Sequence, residues 1–213
     1  MQIVILLYDQ FTALDAIGPY EVLSRLSGAE AVFAAQRPGP VRTDTGMLAV
    51  TADAALADVP SPDIVLVPGG PGNEAQMGDG PVREWLRAAD AASSWTASVC
   101  TGSLILAAAG LLAGRRATSH WLALDRLTAL GARPVADRVV IDGKYITAAG
   151  VSAGIDMALD LSGRIAGAAA AQAIQLMIEY DPQPPYTAGS PRSAPPDLVA
   201  RMRARSRHTA QAR

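Results

Sequence analysis

The stretch ASVCTGSLILAAAG, residues 97–110, places the only cysteine of the chain between an apolar strand and an apolar helix. The strand is predicted over Trp95–Val99 and the helix over Ser103–Leu112. Small residues on both sides of Cys100 leave room for a sharp strand–helix turn that points its side chain outward. The alternative is a small buried hydrophobe, as most free cysteines are. The position at a strand end favours a reactive thiol.

Apolar runs and helical periodicities alternate along the rest of the chain. Short apolar runs predict strands at Gln2–Leu7, Glu30–Gln36, Met47–Thr51 and Asp63–Val67. A hairpin around an Asp-Gly turn is predicted at Val139–Ile141 and Tyr145–Ala148. Apolar residues at helical spacing predict a helix after Thr12, whose regular part begins near Gly18 or Pro19. The same spacing predicts helices over Pro81–Ala92, Ser119–Leu130 and Ser152–Tyr180. Gly163 and Gly167 are candidate break points in the last of these.

This alternation predicts an α/β fold, a three-layer sandwich in which helices cover both faces of a mostly parallel sheet. In such sheets functional groups gather beyond the carboxyl ends of the strands, where Cys100 falls. All 213 residues are expected to form one domain. A proline-rich segment over 181–196 is expected to lie extended on the surface. A basic tail over 198–213 follows, with an arginine-rich helix predicted at Asp197–Arg207.

The composition limits the expected partners. The net charge is −2, and five arginines in 198–213 leave −7 for the rest of the chain, which is not the profile of a nucleic-acid-binding protein. The arginine run is interpreted as a solvated tail. No apolar run reaches the roughly 18 residues of a membrane span, so no membrane contact is expected. A lone cysteine and an N-terminus unlike a leader favour a reducing cytoplasm.

No metal or organic cofactor is expected either, because one cysteine and two histidines at scattered positions do not form a zinc site. The chemistry then depends on how the Cys100 thiol is ionised. A helix that begins directly after the cysteine biases the thiol toward its anion by about one pKa unit. Full activation needs further hydrogen-bond donors or a neighbouring acid that shares a proton with the sulfur.

Four stretches resemble the ThiJ/PfpI superfamily, which is related to the class I glutamine amidotransferases and has a flavodoxin-like fold: YDQFTALDAIGPYEVL at 8–23, DIVLVPGGPG at 63–72, SVCTGSLILAAAGLLAGRRATSHW at 98–121 and ITAAGVSAGIDMALDL at 146–161. The proline segment DPQPPYTAGSP at 181–191 is similar to one group of that superfamily, the isonitrile hydratases. That group carries Cys-Thr at the elbow and an aspartate in the first helix turn, which match Cys100, Thr101 and Asp15. Protease-like members carry a histidine directly after the cysteine.

The resemblance implies hydration of an isonitrile to an N-substituted formamide. Cys100 attacks the isonitrile carbon while Asp15 protonates it, and water converts the resulting thioimidate to product. Neighbouring acidic groups resist being ionised together, so the pair is expected to hold one shared proton near neutral pH. The alternative role for Asp15 is a helix N-cap. Thr101 is expected to contribute a backbone amide, and its hydroxyl either orients the hydrolytic water or is an ordinary first-turn side chain.

The resemblance also suggests supporting residues around the thiol. Gly69 and Gly70 match the amidotransferase loop whose amides stabilise developing negative charge, although such a turn alone indicates little. His120 lies where relatives place a histidine near the thiol, and Glu21 matches a carboxylate that can orient it. A purely structural histidine is the commoner alternative.

Three residues at the start of the long helix are candidates for substrate contact: Gly150, Ser152 and Ile155. Their alternative role is to cap and pack that helix, and the sequence does not separate the two.

The superfamily leaves the assembly and the activity open. Its members commonly dimerise, so a homodimer that binds a small isonitrile is expected. A glyoxalase-like activity on reactive aldehydes is the enzyme alternative, and a stress or redox sensor in which Cys100 oxidises is the non-enzyme alternative. Transcription regulators that share the signature need a helix-turn-helix, which the 16 residues of 198–213 are too few to supply.

Overall fold

A computed structural model describes residues 1–206 of the chain, and a seven-stranded sheet forms its centre. The strands of the protein are β1 (Gln2–Leu6), β2 (Glu30–Ala35), β3 (Gly39–Arg42), β4 (Ala49–Ala52), β5 (Ala54–Ala55), β6 (Ile64–Val67), β7 (Trp95–Val99), β8 (Arg116–Ala117), β9 (Arg133–Pro134), β10 (Val139–Asp142) and β11 (Tyr145–Ala148). The central sheet has the order β10-β11-β7-β6-β1-β2-β5. Within it β10 and β11 pair antiparallel and all other neighbours pair in parallel, which confirms the predicted sheet.

Helices flank this sheet on both faces, as the three-layer prediction requires. They are α1 (Ala13–Leu23), α2 (Asn73–Met77), α3 (Pro81–Ala92), α4 (Gly102–Ala108), α5 (Leu124–Ala129), α6 (Ala153–Ala166), α7 (Ala168–Met177) and α8 (Pro196–Ala204), with a short 3₁₀ turn at Leu56–Asp58. Strand β7 and helix α3 have the bounds that the sequence predicts. None of the helices in the described residues is long and apolar enough to cross a membrane.

The sheet is held by strands that are apolar on both faces. Residues 3–6 of β1 are fully buried, and so is nearly all of β6. Covered parallel strands read as continuous apolar runs because neither face meets water, and this is the pattern of the N-terminal segment. The register of these two strands, with Val4 opposite Val65, brings their carboxyl ends to the same edge.

Helix α1 begins earlier than predicted. It starts at Ala13 and runs through Pro19, whereas the sequence suggested a start near Gly18 or Pro19. A proline inside a helix lacks one backbone donor and costs about 3 kcal/mol. Packing offsets that cost here, because Pro19 lies against Gly154 of α6, where an added Cβ would be 3.0 Å from the proline ring.

Three other predicted elements differ from the structure. The segment predicted as a strand at Met47–Thr51 forms β4, which pairs only with β3 in a separate ladder. The helix predicted over Ser119–Leu130 is reduced to α5, and Ser119 lies outside it, where its hydroxyl donates to the carbonyl oxygen of Cys100. The long helix after Ser152 is interrupted at Gly167, one of the two candidate break points, where the backbone takes φ 85°.

The proline-rich segment carries no regular secondary structure between residues 181 and 195, in agreement with the expected extended course. Helix α8 follows it and ends at Ala204, three residues before the predicted end. The last part of the predicted basic tail, residues 207–213, lies outside the described residues.

Gly102, the first residue of α4, lets that helix approach strand β6 closely. A Cβ at this position would lie 2.1 Å from the carbonyl oxygen of Val67. Gly102→Ala is therefore expected to lower the free energy of unfolding by about 3 kcal/mol in urea titration. Gly78→Ala is the matched control, because Gly78 has open space and φ −71°. Equal stability of the two variants would contradict the close approach.

Candidate active site

Four neighbouring strands deliver the candidate site to one edge of the sheet. The segments that follow β1, β6, β7 and β11 carry Asp15, Gly69, Cys100 and Val151 in that order. Parallel strands end at the same edge, so residues far apart in the sequence meet there. The predicted location at the carboxyl ends of the strands is confirmed for Cys100.

Cys100 sits in a strained backbone conformation that the surrounding hydrogen bonds hold in place. Its φ is 57°, in the left-handed region that costs a non-glycine residue about 1–2 kcal/mol. Its amide donates to the carbonyl oxygens of Ala148 (3.0 Å), the last residue of β11, and of Ala149 (2.9 Å), which follows it. Its own carbonyl accepts from the hydroxyls of Ser103 (3.1 Å) and Ser119 (3.0 Å). This is the predicted elbow, and the sequence did not reveal that Ser119 supports it.

The thiol lies at the floor of a cavity rather than inside the core. Cys100 is 6% exposed, and it lines an open cavity of about 280 Å³. We call this the reaction cavity; it is lined by Thr12, Gly70, Pro71, Cys100, Thr101, His120, Leu122, Val151 and Ser206. Cys100 is therefore mostly buried, as expected for a small buried hydrophobe. It nevertheless lines an open cavity, so a small molecule can reach it.

Asp15 is the acid beside this thiol. It is fully buried, and its Oδ2 accepts a hydrogen bond from the Gly69 amide at 2.9 Å. Thr12 occupies the N-cap position of α1 and Asp15 the third helical position, so the capping alternative for Asp15 is wrong. Its Oδ1 has no hydrogen-bond partner within residues 1–206.

Burial raises the pKa values of both groups. Desolvation lifts the pKa of Asp15 to about 7, while the Gly69 hydrogen bond and the interaction with Cys100 act in the opposite direction. Desolvation also raises the pKa of the Cys100 thiol, and the negative charge of Asp15 adds to that rise. The pair therefore holds one proton above pH 7, with the thiol as its preferred site.

The expected lowering of the thiol pKa by the amides at the start of the following helix is present, but other effects outweigh it. The backbone amides of Thr101 and Val151 do lower the pKa of Cys100. Helix α4 has only seven residues, and burial together with Asp15 outweighs these amides. The thiol is thus protonated at rest, and Asp15 is the neighbouring group that can exchange a proton with it.

Val151 is a site residue that the sequence did not predict. Its amide hydrogen-bonds toward the Cys100 sulfur, and its φ of 31° is unusual for a β-branched residue. The sequence feature that could have indicated Val151 is its place directly after Gly150, beyond the carboxyl end of a strand next to that of Cys100. The strain supports a functional role, since it turns a backbone donor toward the sulfur.

The amides of Gly69 and Gly70 are already engaged, which corrects their predicted role as donors to substrate. The Gly69 amide binds Asp15, and the Gly70 amide donates to the Thr101 hydroxyl at 3.0 Å. A Cβ on Gly69 would lie 2.5 Å from the Thr101 amide nitrogen and 2.9 Å from Asp15 Oδ2. The glycines let this loop approach the site, and the Thr101 hydroxyl anchors the loop.

His120 lines the reaction cavity as a neutral imidazole. Burial lowers its pKa, and its Nδ1 accepts a hydrogen bond from the Leu122 amide at 3.3 Å, which places the ring proton on Nε2. A Cβ on Gly150 would lie 2.8 Å from His120 Cδ2, so Gly150 makes room for this ring. His120 thus lies at the reaction cavity, and Gly150 packs against it; their roles in binding or catalysis stay predictions.

Three predicted site residues make other contacts. Glu21 is exposed and pairs with Arg25 one helical turn away at 2.8 Å, so the prediction that it orients His120 is corrected. Ile155 packs on Gly18 of α1, where its Cγ1 would be 3.1 Å from an added Cβ. Ile155 therefore packs two helices together, which was the alternative to its predicted contact with substrate. Ser152 is exposed and accepts a hydrogen bond from Arg138.

Within residues 1–206, no group of three or more His, Cys, Asp or Glu side chains could hold a metal ion. The groups that meet at this site are a thiol, a carboxyl group and backbone amides, which together can support nucleophilic attack coupled to proton transfer.

Comparison with known proteins places this site in a family. The model of the DJ-1/PfpI family matches residues 1–163. An isonitrile hydratase of Pseudomonas putida is 43% identical over 206 residues, covering 97% of this chain and 90% of that protein. A glutathione-independent glyoxalase, DJR-1.2 of Caenorhabditis elegans, is 31% identical over 72% of this chain and 82% of its own length. The crystal structure of a ThiJ/PfpI family protein from Pseudomonas syringae superimposes with TM-score 0.92 at 38% identity, covering 95% of this chain and 84% of that one.

Removal of the Asp15 charge is expected to lower the pKa of Cys100. The carboxylate raises the pKa of the thiol, and Asp15→Asn keeps the side-chain size while it removes the charge. The rate of alkylation by iodoacetamide as a function of pH reports this pKa, and the signal comes from one residue because the chain has one cysteine. The midpoint is expected to move to lower pH in Asp15→Asn.

Asp44→Asn is the control for this measurement, since it removes an exposed charge that acts only weakly on Asp15. A midpoint that moves to higher pH in Asp15→Asn would contradict the assigned electrostatics.

Proposed function

The chain belongs to the DJ-1/PfpI family, and we propose that it hydrates isonitriles to N-substituted formamides with Cys100 as the nucleophile. The observation that carries this proposal is the buried carboxyl group of Asp15 beside the Cys100 thiol at the floor of the reaction cavity. The similarity to the isonitrile hydratase of Pseudomonas putida supports the choice of substrate.

An isonitrile suits this pair because its terminal carbon must gain both a nucleophile and a proton. In the first step the sulfur bonds to that carbon while Asp15 takes the thiol proton and passes it to the same carbon. The product is a thioimidate, in which the carbon carries one hydrogen and a double bond to nitrogen. The Cys100 thiol and the isonitrile have then combined into one adduct, and no atom has been gained or lost.

Water completes the reaction. It adds to the thioimidate carbon, with one proton going to the nitrogen, and forms a tetrahedral adduct that carries a hydroxyl group. The carbon–sulfur bond then breaks as the hydroxyl group becomes the carbonyl group, its proton passes through Asp15 to the leaving sulfur, and the N-substituted formamide is released. The amides of Thr101 and Val151 face the sulfur and stabilise negative charge on it in both steps.

Turnover of an isonitrile tests the proposal. Cyclohexyl isonitrile is expected to give N-cyclohexylformamide, and chromatography measures the formation of this product. Cys100→Ala should abolish turnover, and Asp15→Asn should reduce kcat by about 10²–10⁴-fold because proton transfer is lost. Ser98→Ala is the matched control, since Ser98 lies on the same strand with a hydroxyl that has no hydrogen-bond partner in residues 1–206.

Two outcomes would contradict the hydratase assignment. Turnover of methylglyoxal without turnover of isonitriles would favour an activity like that in the name of the Caenorhabditis elegans relative. Peroxide oxidation of Cys100 without turnover of either compound would favour a sensor.

The pH dependence of kcat/KM follows from the protonation of the Asp15–Cys100 pair. Below the pKa of Asp15, about 7, both groups are protonated and no base is present to take the thiol proton. The value of kcat/KM is therefore expected to rise with pH through about 7 and to stay level at mildly alkaline pH, where the thiol retains its proton. Asp15→Asn should lack the step near pH 7. A fall of kcat/KM through this range in the wild type would mean that Asp15 must start as the acid.

A further inference from the structure

Three side chains from distant parts of the chain meet beside the start of helix α6 and have no role in the chemistry described so far. Asp156, in the first turn of α6, pairs with the Arg138 guanidinium and accepts a hydrogen bond from the Tyr180 hydroxyl at 2.7 Å. Arg138 directly precedes strand β10, and Tyr180 lies beyond the end of α7. We call Arg138, Asp156 and Tyr180 the clasp.

Within the clasp, Arg138 holds the chain on both sides of Val151. Its carbonyl oxygen accepts from the amide of Ala149 at 2.8 Å, two residues before Val151. Its guanidinium donates to the hydroxyl of Ser152 at 3.3 Å, one residue after Val151. Because the same guanidinium also binds Asp156, it ties the strained turn to the first turn of the helix.

The start of α6 does not by itself account for the conformation of Val151. Ser152 occupies the N-cap position, and within residues 1–206 its side chain makes no capping hydrogen bond. The backbone bond from the Gly154 amide to the Val151 carbonyl oxygen is long, at 3.4 Å. A β-branched residue keeps a φ of 31° only where its surroundings enforce it. The contacts of Arg138 on either side supply that constraint.

We infer that the clasp positions the Val151 amide against the Cys100 sulfur, and that Arg138 is its central positioning residue. The geometric part of this inference stands on the contacts above, and its consequence for turnover rests on the proposed function. The described lining of the reaction cavity includes Val151 but none of the clasp residues. The clasp therefore acts on the thiol through the backbone of Val151.

Alkylation of Cys100 by iodoacetamide at mildly alkaline pH tests the inference without isonitrile turnover. The Val151 amide lowers the pKa of the thiol, so its displacement reduces the fraction of thiolate that reacts. Arg138→Ala is expected to slow alkylation by about threefold to tenfold, which is the range for one lost hydrogen bond. Asp156→Asn and Tyr180→Phe should slow it in the same direction.

The three variants separate positioning from a direct effect of charge and from loss of packing. Arg138→Ala removes a positive charge, Asp156→Asn a negative charge and Tyr180→Phe none. A purely electrostatic effect on the thiol would therefore have opposite signs in the first two variants. A loosened helix α6 would instead expose the mostly buried thiol and speed up its alkylation. Arg138→Lys should recover part of the rate, because it keeps the charge but lacks the planar fork that binds two acceptors.

The matched controls are Arg164→Ala and Asp160→Asn, since these two residues form an exposed ion pair at 2.9 Å on the same helix. Both controls should react at the wild-type rate. Wild-type rates in the clasp variants, faster alkylation, or rates that follow the sign of the removed charge would overturn the inference. If the wild type hydrates cyclohexyl isonitrile, Arg138→Ala should lower kcat by a similar factor. Absence of turnover in the wild type would overturn the proposed function alone, because alkylation tests the clasp separately.

Discussion

A carboxyl group and a thiol buried side by side, Asp15 and Cys100, are the constraint on which the rest of the site depends. Burying an unpaired charge is costly, and Asp15 receives only one hydrogen bond from nitrogen or oxygen in the described residues, from Gly69. Above about pH 7 the pair therefore keeps one proton, which rests on the thiol. The elbow, the glycine loop and the strained Val151 all place groups around that proton.

Much of this arrangement could be predicted because it follows from local patterns. The apolar runs of a covered sheet, the cysteine at a strand end and the aspartate in the first helix turn are visible in the sequence, and parallel strands bring their ends together. The pairing of Asp15 with Cys100 was inferred from the family resemblance, because only the order of the strands in the sheet brings these two distant residues together.

The parts that could not be predicted depend on tertiary packing. Sequence gives the direction of a helix dipole and the repulsion between two neighbouring acids, but not the depth of burial, which is the largest cause of the rise in the thiol pKa. A valine with positive φ contradicts local preference, and only the surrounding structure imposes it. Glu21 shows the converse: the residue type was suitable for orienting His120, but the helix turns it toward solvent and Arg25.

The location of the shared proton is the central claim, and infrared difference spectroscopy measures it directly. The single cysteine makes the S–H stretching band assignable to Cys100, and comparison with Asp15→Asn identifies the carboxyl band of Asp15. The account predicts that the protonated carboxyl band disappears as pH rises through about 7 while the S–H band persists. Loss of the S–H band at lower pH than the carboxyl band would show a thiolate beside a neutral acid and would contradict it.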